Sequence, residues 1–291
     1  KLNARLRIAV VPGEYRLLLQ NDTNTRGYNQ WFYFSVENMK AGQQYTLRLV
    51  NFVTAVLIEA EKETFAFAEG MRPFVFSLKR HFETGEGYCQ AALDNICYEQ
   101  SPYCQVQLRL IQNENSTDQL YQLSFDIKFE HSDDYVLISM GLPYSYSRLM
   151  TFLRKVKPPS SVHYQEEILT HSLSNNALPM LTITSPLPNL EKKVIGIIAR
   201  QHPGETWSSH LMEQLINQLI SNSPEATYLR DKFIFRIIPM VNVDGVIYGN
   251  FRCDISGFDL NRQWRLPNRI LHPQIWALKN SIHNLSKQHP F

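Results

Sequence analysis

A histidine and a glutamate three residues apart are the first feature of this chain that could do chemistry. His202 and Glu205 belong to the tetrapeptide His202-Pro203-Gly204-Glu205, which follows the apolar run 194–199. A neutral imidazole and a carboxylate that leave the end of a strand can face one point, and they supply two of the three protein ligands of a His2Glu zinc site. The same spacing also fits an ordinary loop histidine followed by an acid in the first turn of a helix, where the helix dipole favours it.

Three further motifs of polar residues follow downstream of this pair. They are Asn242-Val243-Asp244-Gly245, Gly249-Asn250-Phe251-Arg252 and Asp259-Leu260-Asn261-Arg262. By charge alone, the two arginines could pair with Asp254 and Asp259 on a solvated loop, where each ion pair contributes about 0 to 1 kcal/mol. The order of all four motifs along the chain favours a more specific interpretation.

In this order the motifs resemble the signature of the zinc carboxypeptidases, and in particular of their cytosolic carboxypeptidase branch. The resemblance extends over nearly the whole chain. Further segments that are similar to that branch are Trp31-Phe32-Tyr33-Phe34-Ser35-Val36-Glu37-Asn38, Gly70-Met71-Arg72-Pro73, Pro143-Tyr144-Ser145-Tyr146-Ser147-Arg148 and Gly257-Phe258-Asp259-Leu260-Asn261-Arg262-Gln263-Trp264. The resemblance implies Zn²⁺ as cofactor and hydrolysis of a terminal peptide bond as the reaction.

The resemblance also implies a role for each matching residue. His202 and Glu205 are expected to be metal ligands, and Arg252 is expected to stabilise the oxyanion of the tetrahedral intermediate, where a fixed donor contributes roughly 3 to 4 kcal/mol. Asn261 and Arg262 are expected to hold the free terminal carboxylate, because the planar fork of a guanidinium can donate to both of its oxygens.

The third zinc ligand and the general base are not assigned. Three histidines follow the Asn-Arg pair: His272, His283 and His289. None of them ends a strand-like apolar run, and the resemblance implies that the third ligand, a histidine, and the catalytic glutamate lie beyond Phe291. The carboxypeptidase domain is therefore expected to be incomplete at its C-terminus.

The implied substrates and partners are acidic peptide tails, with C-terminal or branch glutamates removed from tubulin or similar proteins. The implied location is the cytoplasm, with the cytoskeleton or the cilium and its axoneme as more specific sites. Two other hypotheses stay open from the sequence. One is a non-catalytic microtubule- or axoneme-associated structural protein that retains the fold, and the other is a metal-free module that binds acidic carboxyl termini.

Composition limits the alternatives further. The net charge of the 291-residue chain is +2, which does not suggest a nucleic-acid-binding surface. No apolar stretch approaches the roughly 20 residues of a membrane helix. Four cysteines are few for this length and favour a reducing compartment. We therefore expect neither a nucleic acid nor a membrane as partner.

The first half of the chain alternates between apolar and polar residues, which is typical of half-buried strands. The clearest example is the run Tyr121, Leu123, Phe125, Ile127 and Phe129. Similar runs occur at 6–11, 15–19, 31–36, 45–50 and 106–110. The pattern predicts an antiparallel β-sandwich as an N-terminal domain over 1–140, with loops and short elements over 65–102.

The second half changes to alternating strands and helices. Apolar runs at 181–184, 194–199 and 233–240 predict buried strands, and helical spacing predicts an amphipathic helix over 206–221. A shorter helix is expected over 146–156, before Pro158 and Pro159. The sequence thus predicts a two-domain chain, in which 141–291 forms the first part of an α/β carboxypeptidase domain with a mixed sheet flanked by helices.

Overall fold

The computed structural model describes residues 10–11, 13–53, 66–90, 93–102, 120–186 and 192–288. The chain forms two compact units, Lys1–Pro143 and Tyr144–Phe291. Among the described helices, none combines the length and the apolar character that a membrane span requires.

The first unit consists mainly of strands. Its described elements are β1 (Val10–Val11), β2 (Glu14–Leu17), β3 (Tyr33–Val36), β4 (Gln44–Val53), β5 (Phe74–Ser77), α1 (Leu78–Thr84), β6 (Leu93–Gln100), β7 (Leu120–Lys128) and β8 (Val136–Ser139). Five strands form one sheet in the order β1-β2-β4-β7-β6, and three form a second sheet in the order β3-β8-β5.

The two sheets of the first unit share one apolar core, because alternate side chains of each strand point to the same face. Leu17, Leu47 and Phe125 enter this core from the five-stranded sheet, and Phe34 and Ile138 enter it from the other. The predicted β-sandwich is therefore confirmed. It is not purely antiparallel, however, because β2 and β4 pair in parallel.

The segment 65–102 was expected to hold loops and short elements, and its described residues contain β5, α1 and β6. Helix α1 has only seven residues, too few for a helical period to stand out, and it begins where Ser77 Oγ accepts a hydrogen bond from the backbone N–H of Arg80. Strand β6 has a register shift between Asp94 and Cys97, which breaks the alternation that identifies a strand. The predicted strand at 106–110 and most of the one at 6–11 lie outside the described residues.

The second unit alternates strands and helices. Its described elements are α2 (Tyr146–Lys155), β9 (His163–His171), β10 (Ala177–Thr184), β11 (Lys193–Ile198), α3 (Thr206–Leu219), α4 (Pro224–Lys232), β12 (Phe233–Ile238), α5 (Val243–Tyr248), the 3₁₀ turn Leu260–Arg262 and α6 (Pro273–Gln288). The sheet has the order β11-β12-β10-β9, in which only β11 and β12 are parallel.

The predicted α/β architecture is confirmed for the second unit, including the helix expected at 206–221, which corresponds to α3. Helices α3 and α4 lie between β11 and β12, and these two strands pair in parallel. Strand β10 is buried along nearly its whole length, as expected. Strand β11 is not, since Ile198 is half exposed at the edge of the described sheet. Strand β9 and helix α4 were not predicted, although Ser223 and Pro224 are a common start signal for a helix.

Candidate metal and substrate site

The loop after β11 carries His202 and Glu205 and is held by the segment that follows β12. The backbone N–H of Val241 donates to the carbonyl of Ala199 at 2.9 Å, and that of Asn242 donates to the carbonyl of Arg200 at 3.0 Å. The buried amide of Asn242 then donates to the carbonyl of Gln201 at 3.2 Å and accepts the N–H of Gly245 at 2.9 Å. Two motifs distant in sequence are thereby joined beside the histidine.

Two close approaches explain glycines in these motifs. A Cβ atom at position 204 would lie 2.5 Å from a ring carbon of Phe251 and 2.9 Å from its carbonyl oxygen, and the N–H of Gly204 donates to that oxygen at 2.7 Å. A Cβ atom at position 245 would lie 2.4 Å from Cγ of Pro203. Only glycine lets the loop, the start of α5 and the segment before Arg252 pack this closely.

The imidazole of His202 lies between two carboxylates. Nδ1 is 2.7 Å from Oε1 of Glu205, and Nε2 is 3.0 Å from Oδ1 of Asp259. The ring is largely buried, whereas more than half of the Glu205 side chain is exposed. The hydrogen bond with Glu205 raises the pKa of His202 above its usual value, since it favours the charged ring.

Asp259 also binds Arg252. The other oxygen of this carboxylate, Oδ2, accepts hydrogen bonds from Nε of Arg252 at 2.8 Å and from Nη2 at 2.7 Å. Burial raises the pKa of Asp259, but the charge of Arg252 and the N–H of Asn261 outweigh this effect and hold that pKa below its usual range. The charged carboxylate of Asp259 therefore fixes both His202, a candidate metal ligand, and Arg252, a candidate catalytic cation.

Asn261 and Arg262 stand directly beyond Asp259, on a 3₁₀ turn that this aspartate caps by accepting the N–H of Asn261 at 2.8 Å. Both side chains are exposed. Nη1 of Arg262 makes a long hydrogen bond, 3.4 Å, to the carbonyl of Asn261, and within the described ranges no ion pair to a carboxylate is seen for this guanidinium. The alternative pairing with aspartate thus applies to Arg252 and not to Arg262.

Arg200 holds the loop from inside the unit. Its guanidinium is almost fully buried and donates to the carbonyls of Pro203 and Tyr144, at 2.8 and 3.2 Å, and to Oγ of Ser209 at 2.9 Å. Burial lowers its pKa to about 9. Its φ of 57° is in the left-handed region, where an arginine is uncommon, so this side chain anchors a sharp change of chain direction just before His202.

The side chains present fit part of a zinc site. An imidazole nitrogen and a carboxylate oxygen face each other, and a second carboxylate fixes the far side of the ring, as is usual for a metal-bound histidine. No group of three or more histidine, cysteine, aspartate or glutamate side chains suited to a metal ion occurs among the described residues. His202 and Glu205 could therefore supply two ligands but not a complete set.

Sequence reasoning missed two residues of this arrangement, Asp259 and Arg200. Asp259 was considered only as a partner for arginines, and its contact with His202 joins residues 57 positions apart. Its position two residues before Asn261 and three before Arg262 was the available signal. Arg200 gave a weaker signal, an arginine at the end of an apolar strand, where a charged side chain must find partners.

Comparison with known families identifies the class. Residues 149–290 match the family described as zinc carboxypeptidase, and residues 3–86 match the cytosolic carboxypeptidase N-terminal domain. The first match covers most of the α/β unit, and the second covers part of the β-sandwich. The chain belongs to the zinc carboxypeptidase family, in its cytosolic carboxypeptidase branch.

Named relatives agree with this assignment. The chain is 35% identical to cytosolic carboxypeptidase 1 of Mus musculus over 98% of its own length and 23% of the relative. It is 36% identical to cytosolic carboxypeptidase 4 of Homo sapiens, over 98% of its length and 26% of the relative. The chain therefore spans about a quarter of the length of these relatives.

Solved structures show the same fold. The chain is similar to a metallo-carboxypeptidase from Burkholderia cenocepacia, with a TM-score of 0.70 and 22% identity over 98% of this chain and 65% of that one. It is also similar to a metallo-carboxypeptidase from Pseudomonas aeruginosa, with a TM-score of 0.66 and 23% identity over 99% of this chain and 64% of that one.

Proposed function

We propose that the complete protein is a zinc-dependent carboxypeptidase that removes C-terminal or branch glutamates from acidic tails such as those of tubulin. The observation that supports this proposal most directly is the arrangement around Asp259 in a chain of the cytosolic carboxypeptidase branch. One oxygen of this carboxylate binds His202, the other binds Arg252, and Asn261 and Arg262 follow it on the next turn.

In this proposal His202 and Glu205 hold the zinc ion through Nδ1 and Oε1, and a third protein ligand comes from outside the described residues. The bound metal would polarise the scissile carbonyl and lower the pKa of a water molecule to about 7. Asp259 would keep its contact with Nε2, which fixes the ring and directs Nδ1 toward Glu205.

Two arginines would bind the substrate. The guanidinium of Arg252, fixed at two nitrogens by Asp259, would donate to the oxygen on which negative charge develops. The exposed guanidinium of Arg262 and the amide of Asn261 would bind the free terminal carboxylate. An acidic substrate is supported by the balance of charge over 252–269, where four arginines accompany two aspartates.

The family also bears on where the protein acts. Its branch is named for cytosolic enzymes, and a substrate such as polyglutamylated tubulin would bring the protein to microtubules, including those of the cilium. These locations are part of the proposal, because they depend on the substrate.

The test measures glutamate release from a polyglutamylated peptide by the full-length protein. We expect turnover by the wild type, none by His202→Ala, and a raised KM for Arg262→Ala. His163→Ala, which removes an exposed histidine from β9, is the matched control and should retain turnover. The same peptide with an amidated C-terminus should not be cleaved at its end, because it lacks the carboxylate that Arg262 binds.

Metal analysis of the same full-length variants gives a second readout. We expect zinc in the wild type and in Arg262→Ala, and a loss of zinc in His202→Ala. Unchanged glutamate release in both variants would contradict the site. A wild-type protein that binds microtubules, contains no zinc and releases no glutamate would instead support the structural alternative.

A further inference from the structure

A basic and apolar surface follows directly after the residues proposed to bind the terminal carboxylate. It consists of Arg265, Leu266, Arg269 and Ile270, and we refer to it as the 265–270 surface. All four side chains are exposed, and the exposed fractions of Leu266 and Ile270, 86% and 77%, are among the highest of the described apolar residues. Single exposed apolar residues are common, but two large ones flanked by arginines on one short loop suggest a contact surface.

The charge of this part of the chain is one-sided. From position 260 to position 291 there are five lysines and arginines and no aspartate or glutamate, whereas the whole chain has 29 basic and 27 acidic residues. The arginines at 265 and 269 therefore have no acidic neighbour in sequence to neutralise them. A partner that covers this surface would gain from carrying carboxylates.

Several contacts fix the loop. Nζ of Lys279, on α6, donates to the carbonyl of Arg265 at 2.7 Å. The side-chain oxygen of Asn268 accepts the backbone N–H groups of Ile270 and Leu271, at 2.8 and 3.0 Å. The guanidinium of Arg269 lies over the ring of Trp276, 5.0 Å from its centroid. A surface ordered before binding costs less conformational entropy when a partner docks.

We propose that the 265–270 surface docks an acidic peptide segment that also carries large apolar side chains. Arg265 and Arg269 would bind its carboxylates, and Leu266 and Ile270 would pack against its apolar side chains. The segment would belong to the same polypeptide as the terminus bound at Arg262, a statement that rests on the proposed function. The surface would thus select acidic substrate proteins through residues that lie away from the bond that is cleaved.

The test isolates this surface from the terminal site. The probe is a fluorescently labelled, glutamate-rich peptide that contains two leucines and ends in an amide, so it offers no terminal carboxylate to Arg262. Its affinity for the full-length protein is measured by anisotropy. We expect R265E/R269E and L266S/I270S each to weaken binding about tenfold, since exposed ion pairs and small apolar contacts are each modest.

Two controls make the result specific. R154E/K157E makes the same change of charge at exposed positions at the end of α2 and should alter the affinity less than about twofold. A probe with serine in place of both leucines should bind more weakly and should lose its sensitivity to L266S/I270S.

Equal binding by the wild type and both surface variants would overturn the proposal. So would a loss in R154E/K157E as large as that in R265E/R269E, because the effect would then reflect net charge. If another part of the protein covers this surface, the surface variants should lower the unfolding temperature and leave peptide binding unchanged, which also contradicts docking. Glutamate release from a short peptide with a free carboxylate tests the proposed function separately.

Discussion

Oδ1 of Asp259 lies 3.0 Å from Nε2 of His202, and this contact sets the orientation of the imidazole. With Nε2 bound, Nδ1 faces Oε1 of Glu205 at 2.7 Å, so the two proposed zinc ligands are already aligned. The other oxygen of Asp259 binds Arg252. One carboxylate therefore positions both His202, which is proposed to bind the metal ion, and Arg252, which is proposed to bind the substrate.

Replacement of Asp259 tests this relationship. We expect Asp259→Asn to lower the zinc affinity of the full-length protein about 10- to 100-fold, because the amide binds the ring more weakly and no longer fixes its protonation. Competition with a chelator of known affinity measures the change. Asp231→Asn, which makes the same substitution on α4, is the control. Equal zinc affinity in the wild type and Asp259→Asn would show that this carboxylate does not support the metal site.

Arg200 is expected to position the loop that carries His202. Arg200→Met leaves the carbonyls of Pro203 and Tyr144 without their donor and should cost about 2 to 5 kcal/mol of unfolding free energy, measured in urea. Zinc affinity should fall as well. Arg200→Lys should recover only part of both losses, because an ammonium group lacks the fork of the guanidinium.

A second buried arginine, Arg230, provides a control that distinguishes a loss of stability from a loss of positioning of the His202 loop. Arg230 is equally buried, but it donates to the carbonyls of Leu219 and Ser221 at the end of α3. Arg230→Met should therefore destabilise the unit to a similar degree without lowering the zinc affinity of the folded protein. Equal effects of both substitutions on zinc affinity would mean that Arg200 has only a general structural role.

Gly204 is expected to tolerate no side chain. The Cβ atom of alanine would overlap the ring and the carbonyl of Phe251, so Gly204→Ala should lower the free energy of unfolding by about 1 to 3 kcal/mol and displace the adjacent Glu205. Gly196→Ala, on β11, is the matched control, since nothing lies within 4 Å of the added atom. It should change stability by less than about 1 kcal/mol. Similar urea midpoints for the two variants would contradict the close approach.

The sequence predicted those elements that have a clear local pattern of apolar and polar residues. Alternation identified β7 and helical spacing identified α3, because each element has enough residues for its period to show. The short helix α1 and the irregular strand β6 gave no such period. The functional motifs were found by residue type and order, whereas the contact of Asp259 with His202 depends on two loops meeting in space, which periodicity does not report.

Asp134 should make the stability of the first unit depend on pH. Its carboxylate accepts hydrogen bonds from Oγ of Ser77 at 2.5 Å and from the N–H groups of Lys79 and Tyr135, at 3.0 and 2.7 Å, at the start of α1. Burial raises the pKa of Asp134, but these hydrogen bonds outweigh burial and bring the pKa below its usual value. They therefore favour the charged form in the folded state.

The lowered pKa of Asp134 determines how the stability of the first unit changes with pH. Because the folded pKa is lower than that of the unfolded chain, about 4, the stabilisation is fully present above pH 4 and is lost as the pH falls through the folded pKa. Asp134→Asn should lower the free energy of unfolding at pH 7 by about 1 to 3 kcal/mol and reduce its decline in acid. The exposed neighbour Asp133 provides the control, since its φ of 52° suits asparagine and Asp133→Asn should keep the acid-dependent decline. Urea unfolding across this pH range measures the free energy of unfolding of both variants. If Asp134→Asn lost as much stability in acid as the wild type does, other carboxylates would be responsible for that loss.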